Sequence, residues 1–528
     1  MANPKGSAGE RKRIRTQPSE EHRAHEHGTK EFGEGEACPE YRRTRLSCSV
    51  APPDPMQKDY VPQAPKSLSS RCNNRQLRSE PSRRIKTKNR IFISKFCIKY
   101  AKIGNKYIYT IAFRAPMLQT ISIENFLSIR DKLTLSLEAS ASKKNLQNTI
   151  ALPKKDRLLR SVALYGANAS GKSNIIKATL FIWDMVKNSH AFNIDSTIPR
   201  TPYKLDEAWA GKLSRFELTF YHKRIRYRYG FSCDDKKIID EYLYHWPKGR
   251  EALIFKRSST TDFTFIKDKR QQQLIKKRLT PNVLYLSRAT ALGLKATAPA
   301  YAFITDNLVI NYSPTWFVYT AQKIKEDPAL KTRVLGILAK ADFGGIQDIM
   351  VSTEKKKVDG VEFRIEKQRK IFNHLVQEER EFNELKTIHT TAKGKHLTFS
   401  LKEESEGTQK IISLLGPLFD ALDNGKVAII DELESSLHPN LTRSLIRLFN
   451  SRKNTKGAQL IFTTHSTTLL DNRLFRRDQI YLCTKAPNKQ TLLRSFLDYD
   501  LREDSDFERA YLNGRLGGVP IIDQTLLD

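Results

Sequence analysis

The sequence predicts an α/β fold built on a phosphate-binding loop, and three observations carry that prediction. The stretch Gly166-Ala167-Asn168-Ala169-Ser170-Gly171-Lys172-Ser173 fits the pattern G-x-x-x-x-G-K-[ST]. Arg160 to Tyr165 reads as the apolar strand that should precede such a loop, and Asn174 to Val186 as the helix that should follow it. Val427 to Asp431 is a second apolar strand ending in an acid, with Glu432 next, which fits a neighbour lying parallel to the first strand in one mixed sheet.

The chemistry explains why these residue types recur at this spacing. Glycines at 166 and 171 let the N–H groups of Ala167, Asn168, Ala169 and Ser170 curl around a polyphosphate, and the first helical turn, through Asn174, offers more. Lys172 is expected to neutralise the β- and γ-phosphates. The Ser173 hydroxyl and the Asp431 carboxylate are expected to hold Mg²⁺, and Glu432 is expected to act as general base on the attacking water. ATP and Mg²⁺ are therefore the expected ligands.

The remaining elements follow from pattern. Leu118 to Phe126 and Lys132 to Leu137 alternate as strands, an antiparallel pair ahead of the loop. Phe216 to Phe231 and Tyr242 to Trp246 read as an antiparallel β subdomain. There Arg224, Arg226 and Arg228 fall on one strand face, opposite Ile225, Tyr227, Tyr229 and Phe231. That is the pattern of the solvated side of a half-buried hairpin, and also of a face that contacts phosphate backbones. Residues 262–280 read as a basic helix, Asn282 to Ser287 as a buried strand, and 300–350 as mainly helical. Lys355 to Arg364 reads as a strand paired with Lys395 to Leu401, with a charged helix, Gln368 to Leu385, between them. The β and helical pieces at about 200–395 are expected to form a subdomain inserted in the ATPase unit.

Composition bounds the partners. The formal charge is +33, and residues 1–116 hold 25 Lys+Arg against 11 Asp+Glu, so more than half of the excess lies beyond them. An acidic partner such as nucleic acid is worth testing. No Cys-x-x-Cys pair occurs among the six cysteines, no run of about 18 apolar residues suggests a membrane span, and a cytoplasmic protein is expected. Residues 1 to about 90 have the composition of a disordered basic segment, and 91–113 could pair as strands. The character changes at Met117. We therefore expect 1–116 to be an upstream extension that need not be translated in the cell, and 117–528 to be the ATPase domain.

Three further motifs stand in a telling order. Ser405-Glu406-Gly407-Thr408-Gln409 precedes a helix, Lys410 to Leu422, ahead of the acidic strand. Alone it is equally a helix start, with Ser405 as N-cap and Glu406 in the first turn. Ser435-Ser436-Leu437-His438 follows Glu432, and the strand Leu460 to Thr464 ends at His465. This series resembles the ATP-binding-cassette (ABC) ATPases. The resemblance implies that Ser405, Gly407 and Gln409 form a signature loop reaching the γ-phosphate bound by a second subunit. It also implies that Ser435, Ser436, Leu437 and His438 form the D-loop, and that His465 is the switch histidine. A homodimer or higher oligomer follows.

The wording narrows the family. Ile123-Glu124-Asn125-Phe126-Leu127-Ser128-Ile129, the phosphate loop, and Asp431-Glu432-Leu433-Glu434-Ser435-Ser436-Leu437-His438-Pro439 resemble the bacterial OLD-like ABC ATPases. That group includes the AAA-type ATP-binding proteins of abortive-infection and other antiviral defence systems. The resemblance runs from Met117 to near Ile522 and departs in two places: Ala169 replaces a glycine common in transporter loops, and no glutamine loop can be placed. The separation of 232 positions from Ser173 to Ser405 is far more than a transporter subunit uses, so a non-transport protein is expected. Only 63 residues follow His465, too few for a Toprim nuclease domain, so a separate nuclease effector is expected as partner. Two alternatives stand beside this defence subunit: a RecF-like repair ATPase that binds DNA directly, and a non-enzymatic scaffold, against which Lys172, Asp431 and Glu432 speak.

Overall fold

The computed structural model describes residues 100–103, 106–109 and 115–519, apart from 154–155, 312–315, 342, 344 and 367–368. The chain divides into two units, Met1–Asn89 and Arg90–Asp528, and every described residue belongs to the second. The expectation of disorder for residues 1 to about 90 lies outside the described residues.

Strands β1 (Tyr100–Ile103) and β2 (Lys106–Tyr109) pair antiparallel, as the apolar run there suggested. Then β3 (Met117–Glu124) and β4 (Leu133–Ser136) form the expected antiparallel pair. A small hairpin, β5 (Thr149–Ala151) and β6 (Arg157–Leu159), leads into β7 (Ser161–Tyr165), the phosphate loop and α1 (Lys172–Asn188). After the short α2 (Glu207–Ala210) comes a meander of β8 (Ser214–His222), β9 (Ile225–Cys233), β10 (Ile238–His245), β11 (Ala252–Arg257) and β12 (Phe263–Phe265). It joins β3 and β4 in a seven-stranded antiparallel sheet ordered β12-β11-β10-β9-β8-β3-β4.

Helices α3 (Lys269–Lys276), α4 (Tyr285–Ala291) and α5 (Ala298–Asn307) precede β13 (Leu308–Asn311), α6 (Trp316–Glu326) and α7 (Pro328–Lys340). Next come β14 (Ile346–Glu366), β15 (Arg369–Thr390) and β16 (His396–Ser400). The chain continues through α8 (Glu406–Asn424), β17 (Val427–Ile430), α9 (Pro439–Asn450), β18 (Gln459–Thr463), β19 (Ile480–Lys485), β20 (Thr491–Ser495) and α10 (Phe507–Leu512).

The second large sheet runs β13-β17-β18-β7-β19-β20, all neighbours parallel except β19 and β20, so it is mixed. Its central strands are buried throughout, and mainly apolar, because both faces are covered. Val162 and Leu164 of β7, with Val427 and Ile429 of β17, join the core that holds α1 and the antiparallel sheet. Ala163, Tyr165, Ala428 and Ile430 join the opposite core, with α8 and α9. Each large aliphatic or aromatic side chain so buried contributes about 1.5–3 kcal/mol. The fold is α/β, with a mixed sheet that carries the phosphate loop between β7 and α1 and an antiparallel sheet beside it, as the sequence predicts.

Helix α8 keeps a proline, Pro417, in its interior. Proline has no N–H, which leaves the Ser413 carbonyl without its helical donor. The Thr320 hydroxyl of α6 supplies one at 3.0 Å, so packing between the two helices compensates for the break.

Several local expectations are overturned. Within the expected helix Gln368 to Leu385, the described residues 369–385 belong to strand β15, because β14 offers them an antiparallel ladder from Glu366↔Arg369 to Ile346↔His389, with register shifts at Glu362/Phe363 and Ile346/Asp348. Lys355 to Arg364 therefore pairs with 371–381, while β16 pairs with the far end of β15, Lys386↔Ser400 to Thr390↔His396. Asn282 to Ser287 is not a strand, since α4 begins at Tyr285. The buried Glu241 carboxylate accepts the backbone N–H groups of Tyr285 at 2.6 Å and Leu286 at 2.9 Å, a helix cap supplied from another element. Residues 262–280 divide into β12 and α3, and β13 interrupts the helical stretch after 300.

Candidate nucleotide site

Parallel pairing of β17, β18 and β7 brings their carboxyl ends to one edge of the sheet. The phosphate loop, Asp431 and Thr463 therefore meet there, although they are far apart in sequence. Such an edge is where open α/β sheets place ligands.

The loop has the backbone its sequence demands. Gly171 has φ +104°, and a Cβ there would lie 2.0 Å from Thr491 Oγ1. Ala169, standing where transporters use glycine, adopts the left-handed region at φ +59°. Lys172, the first residue of α1, is 5 % exposed and its Nζ donates to the carbonyls of Gly166 (2.8 Å) and Ala167 (3.0 Å). Burial pushes its ammonium below the usual range, while Cys483, Asp431, Glu432 and Glu434 oppose that shift. Asn168 is exposed at the loop's tip, and Ser170 is buried with its hydroxyl unpartnered among the described residues.

The acidic strand joins the loop directly. Ser173 Oγ donates to Asp431 Oδ1 at 3.1 Å, and Thr463 Oγ1 donates to the same oxygen at 2.5 Å. The hydroxyl and the carboxylate are hard oxygen donors of the kind Mg²⁺ takes, and they stand together without rearrangement of the backbone. Glu432 is exposed, with φ +49°, and its N–H donates to Thr463 Oγ1 at 2.7 Å. A non-glycine residue held there carries strain that its surroundings must impose.

The residues expected to form the signature loop and the D-loop meet in the same subunit. Ser405 is the N-cap of α8, its Oγ accepting the Thr408 N–H at 3.2 Å. Gly407 lies so close to the D-loop that a Cβ would come 2.8 Å from Ser436 O, and Ser436 Oγ donates to Glu406 at 3.3 Å. Gln409 donates to the Glu404 carbonyl at 2.7 Å. In the D-loop, Ser435 N–H donates to Glu432 O, Leu437 is buried, and His438 caps α9 by accepting the Asn440 N–H at 3.2 Å. His465 is exposed beyond β18, and its backbone N–H donates to Glu434.

Five residues escaped sequence reasoning. Thr463 ties Asp431 to Glu432, as above. Glu434 holds His465, and its other carboxylate oxygen is buried without a partner among the described residues. Lys410, next to Gln409, is pushed down by burial, and the carboxylates of Glu432, Glu434 and Asp431 oppose the shift, which places it in their field. Ser128 and Thr491 brace the loop from behind: their hydroxyls lie 2.7 Å apart, Asn174 donates to Ser128 at 2.6 Å, and Thr491 donates to Ser170 O at 2.9 Å. Ser128 lay within a family-like motif and Lys410 beside the signature. Thr491, more than 300 residues from the loop, carries no local signal.

Residues 161–471, more than half of the chain, match the family model described as "AAA domain, putative AbiEii toxin, Type IV TA system". The chain belongs to this AAA family. The matched span of this AAA protein begins with β7 and takes in the phosphate loop, Ser405 to Gln409, Asp431, Glu432 and His465. No curated protein matches the sequence. Solved structures similar to it include an SMC head bound to the C-winged-helix domain of ScpA, at 14 % identity and TM-score 0.37, over 72 % of this chain and 97 % of that one. An SMC head domain from Thermotoga maritima is 13 % identical at TM-score 0.32, over 72 % and 98 %. No helix among the described residues is long and apolar enough to cross a membrane.

Proposed function

We propose that this AAA protein hydrolyses ATP and serves as the sensor or motor subunit of an anti-phage or abortive-infection system, with a separate nuclease as effector. The observation that carries the hydrolytic reading is the sharing of one carboxylate oxygen, Asp431 Oδ1, by Ser173 of the phosphate loop and Thr463 of the neighbouring strand. The toxin description of the family supports the defence reading. Residues 117–528 are assigned to the ATPase unit.

In this reading each residue is assigned a role. The loop N–H groups from Gly166 to Asn174 bind the phosphates, and Lys172, moved off the Gly166 and Ala167 carbonyls, neutralises the β- and γ-oxygens. Ser173 and Asp431 would hold Mg²⁺, which supplies neutralisation of charge on the transferred phosphoryl group. Glu432, exposed at the strand's end, takes the proton of the attacking water, and His465 reaches the γ-phosphate. Ser405, Gly407 and Gln409 meet the nucleotide of a second subunit, which makes the active species a homodimer.

Purified protein should release phosphate from ATP in the presence of Mg²⁺, and Lys172→Ala should abolish both release and binding of a fluorescent ATP analogue. Undiminished release by Lys172→Ala would remove the phosphate loop from the site.

A further inference from the structure

The antiparallel sheet has an outer face that the nucleotide site does not use. Tyr227, Tyr229 and Phe231 of β9 are buried in the core, so Arg226 and Arg228 stand on the opposite side. The pairing Tyr244↔Arg228 and the Trp246 N–H bond to Arg226 O put an aromatic row of β10 beside them. The Arg226 guanidinium lies 4.8 Å from the Trp246 ring, and that of Arg228 lies 4.9 Å from Tyr244. Next in the row, Tyr242 packs over Gly230, where a Cβ would come 2.5 Å from the ring.

Charge gathers at one end of this row. Arg228 has a carboxylate partner, Glu251, at 3.3 Å, whereas Arg226 has no carboxylate within ion-pair distance among the described residues. The Nε atoms of both arginines are buried and unpartnered among the described residues. The turns Lys223–Arg224 and Lys248–Arg250 leave the sheet at the same end, and all four of those basic side chains are exposed. Acids nearby are few or already engaged: Glu217 accepts the Tyr242 hydroxyl, and Glu251 pairs with Arg228. A half-buried guanidinium without a counter-charge is costly, and an anionic ligand would satisfy it.

We propose that this end of the sheet, centred on Arg226 and Trp246, binds single-stranded nucleic acid. Arginines set over aromatic rings, with lysines and arginines on the flanking turns, combine backbone neutralisation with surfaces on which unpaired bases stack. The face of a multistranded sheet offers no lone helix or two-stranded ribbon to enter a duplex groove, which favours single strands. Binding here is independent of ATP hydrolysis at the loop.

The experiment is fluorescence anisotropy of a labelled oligothymidylate, against its duplex form and inorganic polyphosphate as competitors, over a salt series. We expect binding that weakens as salt rises. Arg226→Glu should weaken it at least tenfold and Trp246→Ala severalfold, with thermal melting and phosphate release from ATP unchanged. The doubly changed turn Lys248→Glu, Arg250→Glu provides the same reading should Arg226→Glu fail to fold. No binding, binding indifferent to these changes, or competition by duplex or polyphosphate as effective as by the single strand would overturn the proposal.

Discussion

Thr463 Oγ1 lies 2.5 Å from Asp431 Oδ1, and the same hydroxyl accepts the N–H of Glu432 at 2.7 Å. One side chain on β18 thus sets both acids at the end of β17. Thr463→Val keeps the shape, removes the hydroxyl's bond to the Asp431 carboxylate and leaves a partly buried N–H without its acceptor, a loss of about 1–3 kcal/mol. Steady-state phosphate release should fall roughly tenfold or more, by the relation of barrier to rate. Thr463→Ser should retain most of the activity. Equal rates for Val and unmodified protein would show that the acids are held by other means.

The loop's support from behind gives a second prediction. Thr491 Oγ1 occupies the space a Gly171 side chain would need and donates to Ser170 O. Gly171→Ala should therefore lose nucleotide affinity at least tenfold, about 1.4 kcal/mol, through displacement of the loop. Thr491→Ala, which only removes a brace, should lose less. Titration with a fluorescent ATP analogue distinguishes them, and an unaffected Gly171→Ala would contradict the close approach.

Stability should depend on pH through Glu241. Burial raises its carboxyl to about 7, more than the Leu286 and Tyr285 N–H groups, Arg257 and the Tyr229 hydroxyl can offset. An acid raised on folding binds more protons in the folded than in the unfolded state, so its contribution is most favourable below the unfolded value of about 4.5 and is lost as pH rises towards 7. The loss is roughly 3 kcal/mol at most. Thermal melting followed from pH 5 to pH 8 should fall more steeply for unmodified protein than for Glu241→Gln. Parallel curves would show that Glu241 does not titrate in this range.

Much of this was legible in the sequence, and the failures share one cause. The strand–loop–helix from Ser161 to Asn188 and the acidic strand at Val427 were readable because burial on both faces leaves long apolar runs beside a motif with fixed chemistry. Gln368 to Leu385 misled because its charged composition suits a helix, while the ladder that makes 369–385 a strand lies in the preceding segment. The start of α4 was hidden for the same reason, its cap coming from Glu241 on β10. Within the site, Lys172 and Asp431 announce themselves locally. Thr463 and Thr491 matter only because distant strands bring their hydroxyls to the loop.

Contact between Gly407 and Ser436 O links the signature helix to the D-loop in one subunit. If the signature serves a second subunit, ATP should close a two-fold dimer with two composite sites. Glu432→Gln should trap that dimer with Mg-ATP, and adding Ser405→Arg should prevent closure while leaving ATP binding largely intact. Light scattering, with an intersubunit distance between the two 405 positions, reads both. No response of mass or distance to ATP would rule out shared sites.

The most direct test of the account is a single-turnover measurement of ATP cleavage by Glu432→Gln, with nucleotide binding measured on the same sample. We expect ATP and Mg²⁺ to bind within a few-fold of the unmodified protein, and cleavage to slow by about 10²–10⁴-fold, the contribution of a general base. Cleavage at the unmodified rate, with ATP bound equally well, would contradict the assignment of Glu432 and the hydrolytic site built around it.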